Sequence, residues 1–276
     1  MTGFLKINNP ALKVSILVLL LTIFPFNSVF AVDNTSNQID FKSFTGVYHL
    51  SRDKRGLSLL TTDETILADF PATGLTGIKR LIPEKFQDRS VGVKILNVTD
   101  AAGNPIPYKV QSDSTNLALI IGDPSITLSG TQTIRIKYQT SGVINLNNKA
   151  NQLLLSTNGR GWESPFDSVT ANLYIPKSFN SEIKGTPSCY KVIGVVKDND
   201  CQVNTESTPT ETLITTETVS TSANQGLILK VDFNSATFTN NHSQLLRDTF
   251  IIFCLLIIIN VAFAYSRKYF GPARKR

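Results

Sequence analysis

Residues 47–67 read VYHLSRDKRGLSLLTTDETIL. The runs Val47 to Leu50 and Leu57 to Leu67 are rich in β-branched, aromatic and aliphatic side chains, and the turn-favouring Asp53-Lys54-Arg55-Gly56 separates them. Two such runs on either side of a turn predict a β-hairpin.

The same pattern continues over most of the chain. Further candidate strands are Val91 to Val98, Tyr108 to Gln111, Leu117 to Ile121, Thr133 to Tyr138, Gln152 to Ser156, Val169 to Ile175, Tyr190 to Val196, Glu211 to Val219 and Leu227 to Phe233. Turn residues such as Gly122-Asp123-Pro124 separate them. At least ten strands and no convincing soluble helix predict an all-β fold, a β-sandwich of immunoglobulin-like size or larger.

One segment is ambiguous. Between Asn204 and Asn224, 11 of 21 residues are Ser or Thr, a composition that also occurs in stalks and linkers. Because Thr is β-branched and Leu213, Ile214 and Val219 interrupt the polarity, we expect strand here.

The N-terminus has the features of a secretory signal peptide. Lys6 and Lys13 precede an apolar run from Val14 to Phe26, and residue 31 is a small Ala. This arrangement predicts a signal peptide over residues 1–31 that is cleaved after Ala31. The alternative is an uncleaved signal anchor, for which an apolar run of about 13 residues is short.

The C-terminus has the features of a membrane anchor. Thr249 to Tyr265 is 17 residues long without a charge, which as a helix would cover about 25 Å and cross a bilayer with some local thinning. Five basic residues follow in the last eleven, so the positive-inside rule places that end in the cytoplasm. Asn260, within the span, is polar enough to contact a partner helix, although a tolerated lone Asn is the simpler interpretation.

These signals divide the chain into five parts. They are a signal peptide at 1–31, an extracytoplasmic β domain at 36–234, a tether at 235–248, a transmembrane helix at 249–265 and a basic cytoplasmic tail at 266–276. The predicted location is the cell membrane, with a single span and the β domain outside, and the lipid bilayer is the first expected partner.

The charge distribution excludes one class of function. Of 27 basic residues, two lie in residues 1–31 and five in residues 266–276, whereas all 21 acidic residues lie between. The middle of the chain therefore has a net charge of −1. A nucleic-acid binder needs a cationic surface on its folded part, so no nucleic-acid partner is expected.

Cys189 and Cys201 lie on the exported side and flank the strand-like Tyr190 to Val196 and the turn-like Lys197 to Asp200. In an oxidising compartment such a pair can close a hairpin, so we expect a disulfide. The alternatives are two free thiols or half of a metal site, and no neighbouring His or third Cys supports a metal.

The sequence offers little catalytic chemistry. The two histidines, His49 and His242, fall on a strand and in the tether, and there is no Gly-x-Ser-x-Gly motif. Adjacent carboxylates at Asp63 and Glu64 would point to opposite faces of a strand. Asp198-Asn199-Asp200 lacks the Gly and Glu of a calcium loop. We therefore predict no catalytic, cofactor or metal residues, no cofactor, and a protein that is not an enzyme.

Several motifs occur in an order that resembles a known family. They are Glu64 at the end of a hairpin, Gly77 to Pro83, Gly103 to Tyr108, Ile121-Gly122-Asp123, Ser129-Gly130, Gly161-Trp162 and Tyr174-Ile175-Pro176. The set is similar to the N-terminal domain of the YciQ-like predicted membrane proteins, known as domain of unknown function 2207, over about Ile39 to Phe233. The resemblance implies an exported β domain with a membrane anchor and implies no established chemistry.

Two charged residues inside these motifs, Glu64 and Arg80, suggest an ion pair across neighbouring strands. If the pair is buried its role is structural, because removal of one partner would leave an uncompensated charge. The alternative is an Arg that binds a ligand in a surface groove.

From sequence, the expected function is a membrane-anchored binding or interaction module of the cell envelope, with an envelope protein or polymer as partner. The alternatives are an accessory subunit of a membrane complex and, less favoured, an envelope hydrolase.

Overall fold

The computed structural model describes residues 38–72, 74–86, 89–146, 151–239 and 249–261. The predicted signal peptide, residues 1–31, and the basic tail, residues 266–276, lie outside the described residues, as do His242 and residues 262–265 of the predicted span.

The described chain is predominantly β, which confirms the all-β class. The strands are β1 (Asp40–Arg52), β2 (Ser58–Phe70), β3 (Gly77–Pro83), β4 (Lys85–Phe86), β5 (Arg89–Ser90), β6 (Gly92–Thr99), β7 (Tyr108–Ser112), β8 (Asn116–Gly122), β9 (Gly130–Ser141), β10 (Ile144–Leu146), β11 (Asn151–Ser156), β12 (Phe166–Pro176), β13 (Ile183–Ile193), β14 (Val196–Asp198), β15 (Val203–Ser207), β16 (Glu211–Thr216), β17 (Val219–Thr221) and β18 (Gly226–Phe233). A 3₁₀ helix, Lys177–Glu182, follows β12.

The hairpin predicted from residues 47–67 is present and longer than predicted. β1 and β2 have 13 residues each and pair antiparallel from Asp40 opposite Asp69 to Arg52 opposite Ser58. In the turn, the Asp53 carboxylate accepts hydrogen bonds from the backbone N–H groups of Arg55 and Leu57, both at 2.9 Å. At about 3.3 Å per residue, each strand is about 43 Å long.

The described strands form one large sheet, two smaller sheets and a short two-stranded ribbon. The large sheet has the order β15-β16-β12-β1-β2-β9-β6, and β17 also pairs with β12. Its β1–β12 pair is parallel, whereas its other pairs are antiparallel. A five-stranded sheet has the order β10-β11-β18-β13-β14, a three-stranded sheet the order β3-β8-β7, and β4 and β5 form a short ribbon.

One face of the large sheet carries the core, and two clusters share it. In the first cluster, residues such as Phe44, Ile66 and Ile136 pack with Leu119 and Ile121 of the three-stranded sheet. In the second, residues such as Leu50 and Leu173 pack with Leu229, Val231 and Phe233 of the five-stranded sheet. Both smaller sheets therefore pack on the same face of the large sheet, and the long strands β1 and β2 contribute to the core beneath each of them. The alternation of buried and less buried positions along β2 produces this one-sided core.

The Thr-rich segment 204–224 is strand, as expected: it contributes β15, β16 and β17 to the large sheet. The run Glu211 to Val219 is interrupted after Thr216, so it forms two strands instead of one.

The packed domain extends past residue 234, where the sequence analysis placed its end. Phe238 is buried and its ring contacts those of Phe179 and Phe233, with centroids 5.7 and 5.4 Å away. Thr239 forms a parallel bridge with Leu57 and donates its N–H to the Gly56 carbonyl at 2.8 Å. The last described residue of the domain, Thr239, is therefore bonded to the β1–β2 turn.

Residues 249–261 are helical. Among the described residues, no helix combines the length and the apolarity needed for a membrane crossing.

Candidate functional site

Glu64 and Arg80 meet in the interior. Glu64 is on β2 of the large sheet and Arg80 on β3 of the three-stranded sheet. The sequence suggested a pair across neighbouring strands, but the pair instead joins two packed sheets. Arg80 Nε donates to Glu64 Oε2 at 2.8 Å and Arg80 Nη2 to Oε1 at 2.6 Å. Their side chains are 1% and 0% exposed. Charge-assisted hydrogen bonds in such a bidentate pair are shorter and stronger than neutral ones.

Further polar groups complete a buried polar cluster, which we define as Tyr48, Glu64, Arg80, Tyr138 and Thr157. Tyr138 donates its hydroxyl to Glu64 Oε1 at 2.7 Å, and Tyr48 donates to the Thr157 carbonyl at 3.1 Å. Arg80 Nη1 also donates to the Leu81 carbonyl at 2.7 Å. A charge pair with this many partners is the kind that the interior tolerates.

The surroundings raise the pKa values of three members of the cluster, Tyr48, Arg80 and Tyr138. Burial, reinforced by the negative charge of Glu64, raises the pKa of both Tyr48 and Tyr138 above the ordinary value near 10. Burial alone would lower the pKa of Arg80, but the charge and hydrogen bonds of Glu64 outweigh it, so that pKa is raised. At neutral pH the two tyrosines are thus neutral donors and Arg80 is a cation.

Two glycines make room for these side chains. A Cβ at Gly46 would lie 2.2 Å from the Tyr48 hydroxyl oxygen, because the hydroxyl end of the Tyr48 ring occupies that space. A Cβ at Gly159 would lie 2.3 Å from Arg80 Nη1, and Gly159 also has a φ of +74°. No other residue fits at either position without displacing a member of the cluster.

Cys189 and Cys201 form a disulfide with a Cα–Cα distance of 5.6 Å, which confirms the sequence prediction. The hairpin that it closes has a different tip from the one predicted. Ile193 pairs with Val196, so the turn is Gly194-Val195, and Lys197 and Asp198 belong to β14. Gly194 takes a φ of +57°, which allows this two-residue turn.

A cleft of about 980 Å³ opens between the two smaller sheets, above the large one. Its first wall is formed by β3 and β4, with Leu81, Ile82, Pro83, Lys85 and Phe86. Its second wall is the outward face of the five-stranded sheet, with Leu154, Ser156, Tyr190, Val192, Lys197 and Ile228. Its floor is Leu60, Thr62, Tyr138 and Thr140 of β2 and β9. This volume is at the upper end of the range typical of small-molecule sites.

The floor contains a polar atom without a partner. The Thr62 side chain is buried, and among the described residues nothing forms a hydrogen bond with its Oγ1. A buried hydroxyl in this state costs free energy, and the hydroxyls of Thr157 and Thr221 are in the same state among the described residues.

Three cations line the cleft: Lys85 on β4, Arg160 in the loop 157–165, and Lys197 on β14. In the part of the chain that the structure describes, none of the three forms an ion pair, and the described lining contains no carboxylate. Lys197 Nζ lies 4.7 Å from the centre of the Tyr190 ring. The cleft is therefore apolar on its walls and cationic.

The other sequence candidates lie away from the cleft. His49 is on the opposite face of the large sheet and stacks on Tyr174, with ring centroids 4.7 Å apart. Asp63, as expected, points away from Glu64 and pairs with Lys137 at 3.1 Å. Asp198 pairs with Lys191 at 3.3 Å. Within the described residues, no three His, Cys, Asp or Glu side chains are grouped as metal ligands would be.

The chain belongs to the family of predicted membrane proteins that carry domain of unknown function 2207, because the model of that N-terminal domain matches residues 32–220. The family description supports a location in the membrane.

The chain is also remotely similar to two solved enzymes. An M1 zinc metallopeptidase from Deinococcus radiodurans is 15% identical, with a TM-score of 0.41, and the match covers 70% of this chain and 42% of that one. Leukotriene A4 hydrolase from Saccharomyces cerevisiae is 9% identical, with a TM-score of 0.39 and coverages of 70% and 29%. The chain thus spans less than half the length of either enzyme. Among curated proteins, no match is found.

Proposed function

We propose that this chain is a membrane-anchored, extracytoplasmic binding module of the cell envelope, not an enzyme, and that it holds its ligand in the cleft between the two smaller sheets. The observation that carries the proposal is the cleft of about 980 Å³ itself, whose walls are apolar and whose three cations have no ion-pair partner among the described residues.

The rigidity of the surroundings supports the same role. The buried polar cluster lies beside the floor, since Tyr138 belongs to both. The disulfide holds β13 and β14, which carry Tyr190 and Lys197 on the second wall. A site on fixed strands binds without a large ordering cost.

The proposed anchoring rests on the sequence signals at both ends. Export by residues 1–31, a single span at 249–265 and retention of the five terminal basic residues in the cytoplasm would leave the β domain on the outside. The short tether would keep the cleft close to the bilayer.

The two alternatives have less support. For an accessory subunit, Asn260 would have to bind another helix, yet its side-chain amide donates to the Leu256 carbonyl of its own helix at 2.7 Å. For an envelope hydrolase, His49 would have to act in the cleft, yet it stacks on Tyr174 at the opposite face of the large sheet.

Site-specific photo-crosslinking in native membranes tests the proposal. A photoreactive amino acid replaces Leu154 on the cleft wall in the full-length chain, and the matched control replaces the similarly half-buried Thr61 on the opposite face of the large sheet. We expect a discrete adduct from position 154 and none from position 61. Equal labelling at both positions, or none at position 154, would overturn the proposal.

A further inference from the structure

The lining of the cleft also indicates a class of ligand. We infer that the cleft takes an anionic amphiphile, a molecule with one alkyl chain and a phosphate or carboxylate end group. This inference rests on the proposed binding function and specifies its ligand.

The apolar part of the argument comes from the walls. Leu81 and Phe86 on one side, and Leu154, Val192 and Ile228 on the other, are only partly buried by the protein itself. An alkyl chain between them would cover both sides at once. The gain would scale with the apolar area removed from water.

The anionic part comes from Lys85, Arg160 and Lys197, which reach the cleft from three separate segments. Elsewhere on the five-stranded sheet, the lysines have partners: Lys191 pairs with Asp198 at 3.3 Å and Lys230 with Asp232 at 3.0 Å. The three cleft cations have no such partner among the described residues. In a chain whose middle has almost no net charge, this local excess favours an anion.

The loop that carries Arg160 is held in place. The Asn158 side chain donates to the Gln225 carbonyl at 3.0 Å and accepts the Leu227 N–H at 2.8 Å. The Asn158 carbonyl accepts the Trp162 indole N–H at 2.7 Å. The Arg160 backbone is therefore fixed before a ligand binds, and a guanidinium on a fixed backbone suits an oxyanion.

The test uses the full-length chain in liposomes of zwitterionic phosphatidylcholine. The single Trp162, buried beside the cleft rim, reports thermal unfolding of the domain without interference from the lipid. The probes are octyl phosphate, inorganic phosphate and octyltrimethylammonium, each at the same concentration. At an octyl phosphate concentration of about ten times the Kd, we expect Tm to rise by about 3 to 6 °C.

Two triple variants separate the cleft from general surface charge. Lys85→Gln, Arg160→Gln and Lys197→Gln together remove the cleft cations. Lys54→Gln, Lys94→Gln and Lys109→Gln together remove three exposed cations that do not line the cleft. We expect the octyl phosphate shift to disappear in the first variant and to persist in the second.

Each other outcome overturns the inference in a distinct way. An equal shift with inorganic phosphate would make the ligand a free anion, and an equal shift with octyltrimethylammonium would make charge irrelevant. A shift that survives in the cleft variant would place binding elsewhere. If no probe raises Tm while position 154 still forms its adduct, the ligand class is wrong and the binding function stands. If both fail, the proposed function fails too.

Discussion

Arg80 is a cation that is buried away from solvent, and its guanidinium accounts for the residue types at several neighbouring positions. Its guanidinium lies over the Gly159 backbone, binds Glu64 through two hydrogen bonds and stands 5.6 Å from the centre of the Phe44 ring. Each contact belongs to a different part of the fold: a loop, β2 and β1. A single side chain therefore ties the three-stranded sheet to the large sheet.

The first prediction concerns this pair. Arg80→Met leaves Glu64 buried and unpaired, so we expect the free energy of unfolding to fall by about 3 to 5 kcal/mol. The double variant with Glu64→Met and Arg80→Met should lose less free energy of unfolding than the two single variants lose in sum. Denaturant unfolding of the full-length chain, followed through Trp162, measures all three variants. Unchanged stability in Arg80→Met would show that the structural role is wrong.

The second prediction concerns alkaline pH. Burial raises the pKa of Tyr48 and Tyr138. In the unfolded chain both ionise near pH 10, whereas in the folded chain both keep their protons. The stability contribution of their neutral form is therefore complete below about pH 10 and is lost as the pH rises further. Absorbance titration of Tyr48→Phe and Tyr138→Phe against the unchanged chain measures it; a fully reversible titration of all tyrosines near pH 10 would contradict it.

The third prediction concerns Thr62. Thr62→Val keeps the shape of the side chain and removes the unpartnered hydroxyl, so we expect the ligand-free chain to gain about 1 to 3 kcal/mol of stability. Lower stability would mean that the hydroxyl has a partner, such as an ordered water.

The sequence predicts those strands and turns whose residue pattern is local, that is, contained within the element itself. The β1–β2 hairpin follows from alternating side chains and the Asp53 to Gly56 turn, and both appear in the structure. The polar run Lys197 to Asp200 predicts the β13–β14 turn three residues too late, because the backbone freedom of Gly194 sets the turn and polarity does not. The turn is set by the residue that tolerates a positive φ, and Val195 is 94% exposed beside it.

The fourth prediction concerns the disulfide at the base of this hairpin. Cys189→Ser with Cys201→Ser should lower the free energy of unfolding by roughly 3 kcal/mol, since the closed loop restricts the unfolded chain. Because β14 pairs with no described strand other than β13, we expect limited proteolysis to begin at residues 193–200. Equal proteolysis of the two proteins would indicate that other contacts hold the hairpin.

At the scale of the molecule, the cleft is the feature that sequence reasoning missed. Its lining comes from at least seven strands and a loop, which meet only when three sheets pack together. Lys85, Arg160 and Lys197 have no common spacing along the chain, so no motif marks them. Glu64 and Arg80 were found because they lie inside recognisable motifs, but their placement on facing sheets required the topology.

The fifth prediction concerns anchoring. We expect the full-length chain to remain in the membrane fraction after an alkaline wash, and a chain without residues 249–265 to be released as a folded domain. Immunoblotting of the two fractions measures this, and the intact disulfide in the released domain checks its folding. Release of the full-length chain by the wash would contradict a single transmembrane anchor.

Because Thr239 is bonded to the β1–β2 turn, the chain that links the domain to the helix begins at that residue. From Thr239 to Thr249 the chain has ten steps, which reach at most about 35 Å even when fully extended. If residues 249–265 anchor the chain as proposed, a force on that helix would reach the fold where the Thr239 N–H bonds to the Gly56 carbonyl, in the turn between β1 and β2 and next to the buried Phe238. With such an anchor, the β1–β2 turn would stay within about 35 Å of the start of the helix, so this end of the domain would be the end held near the bilayer.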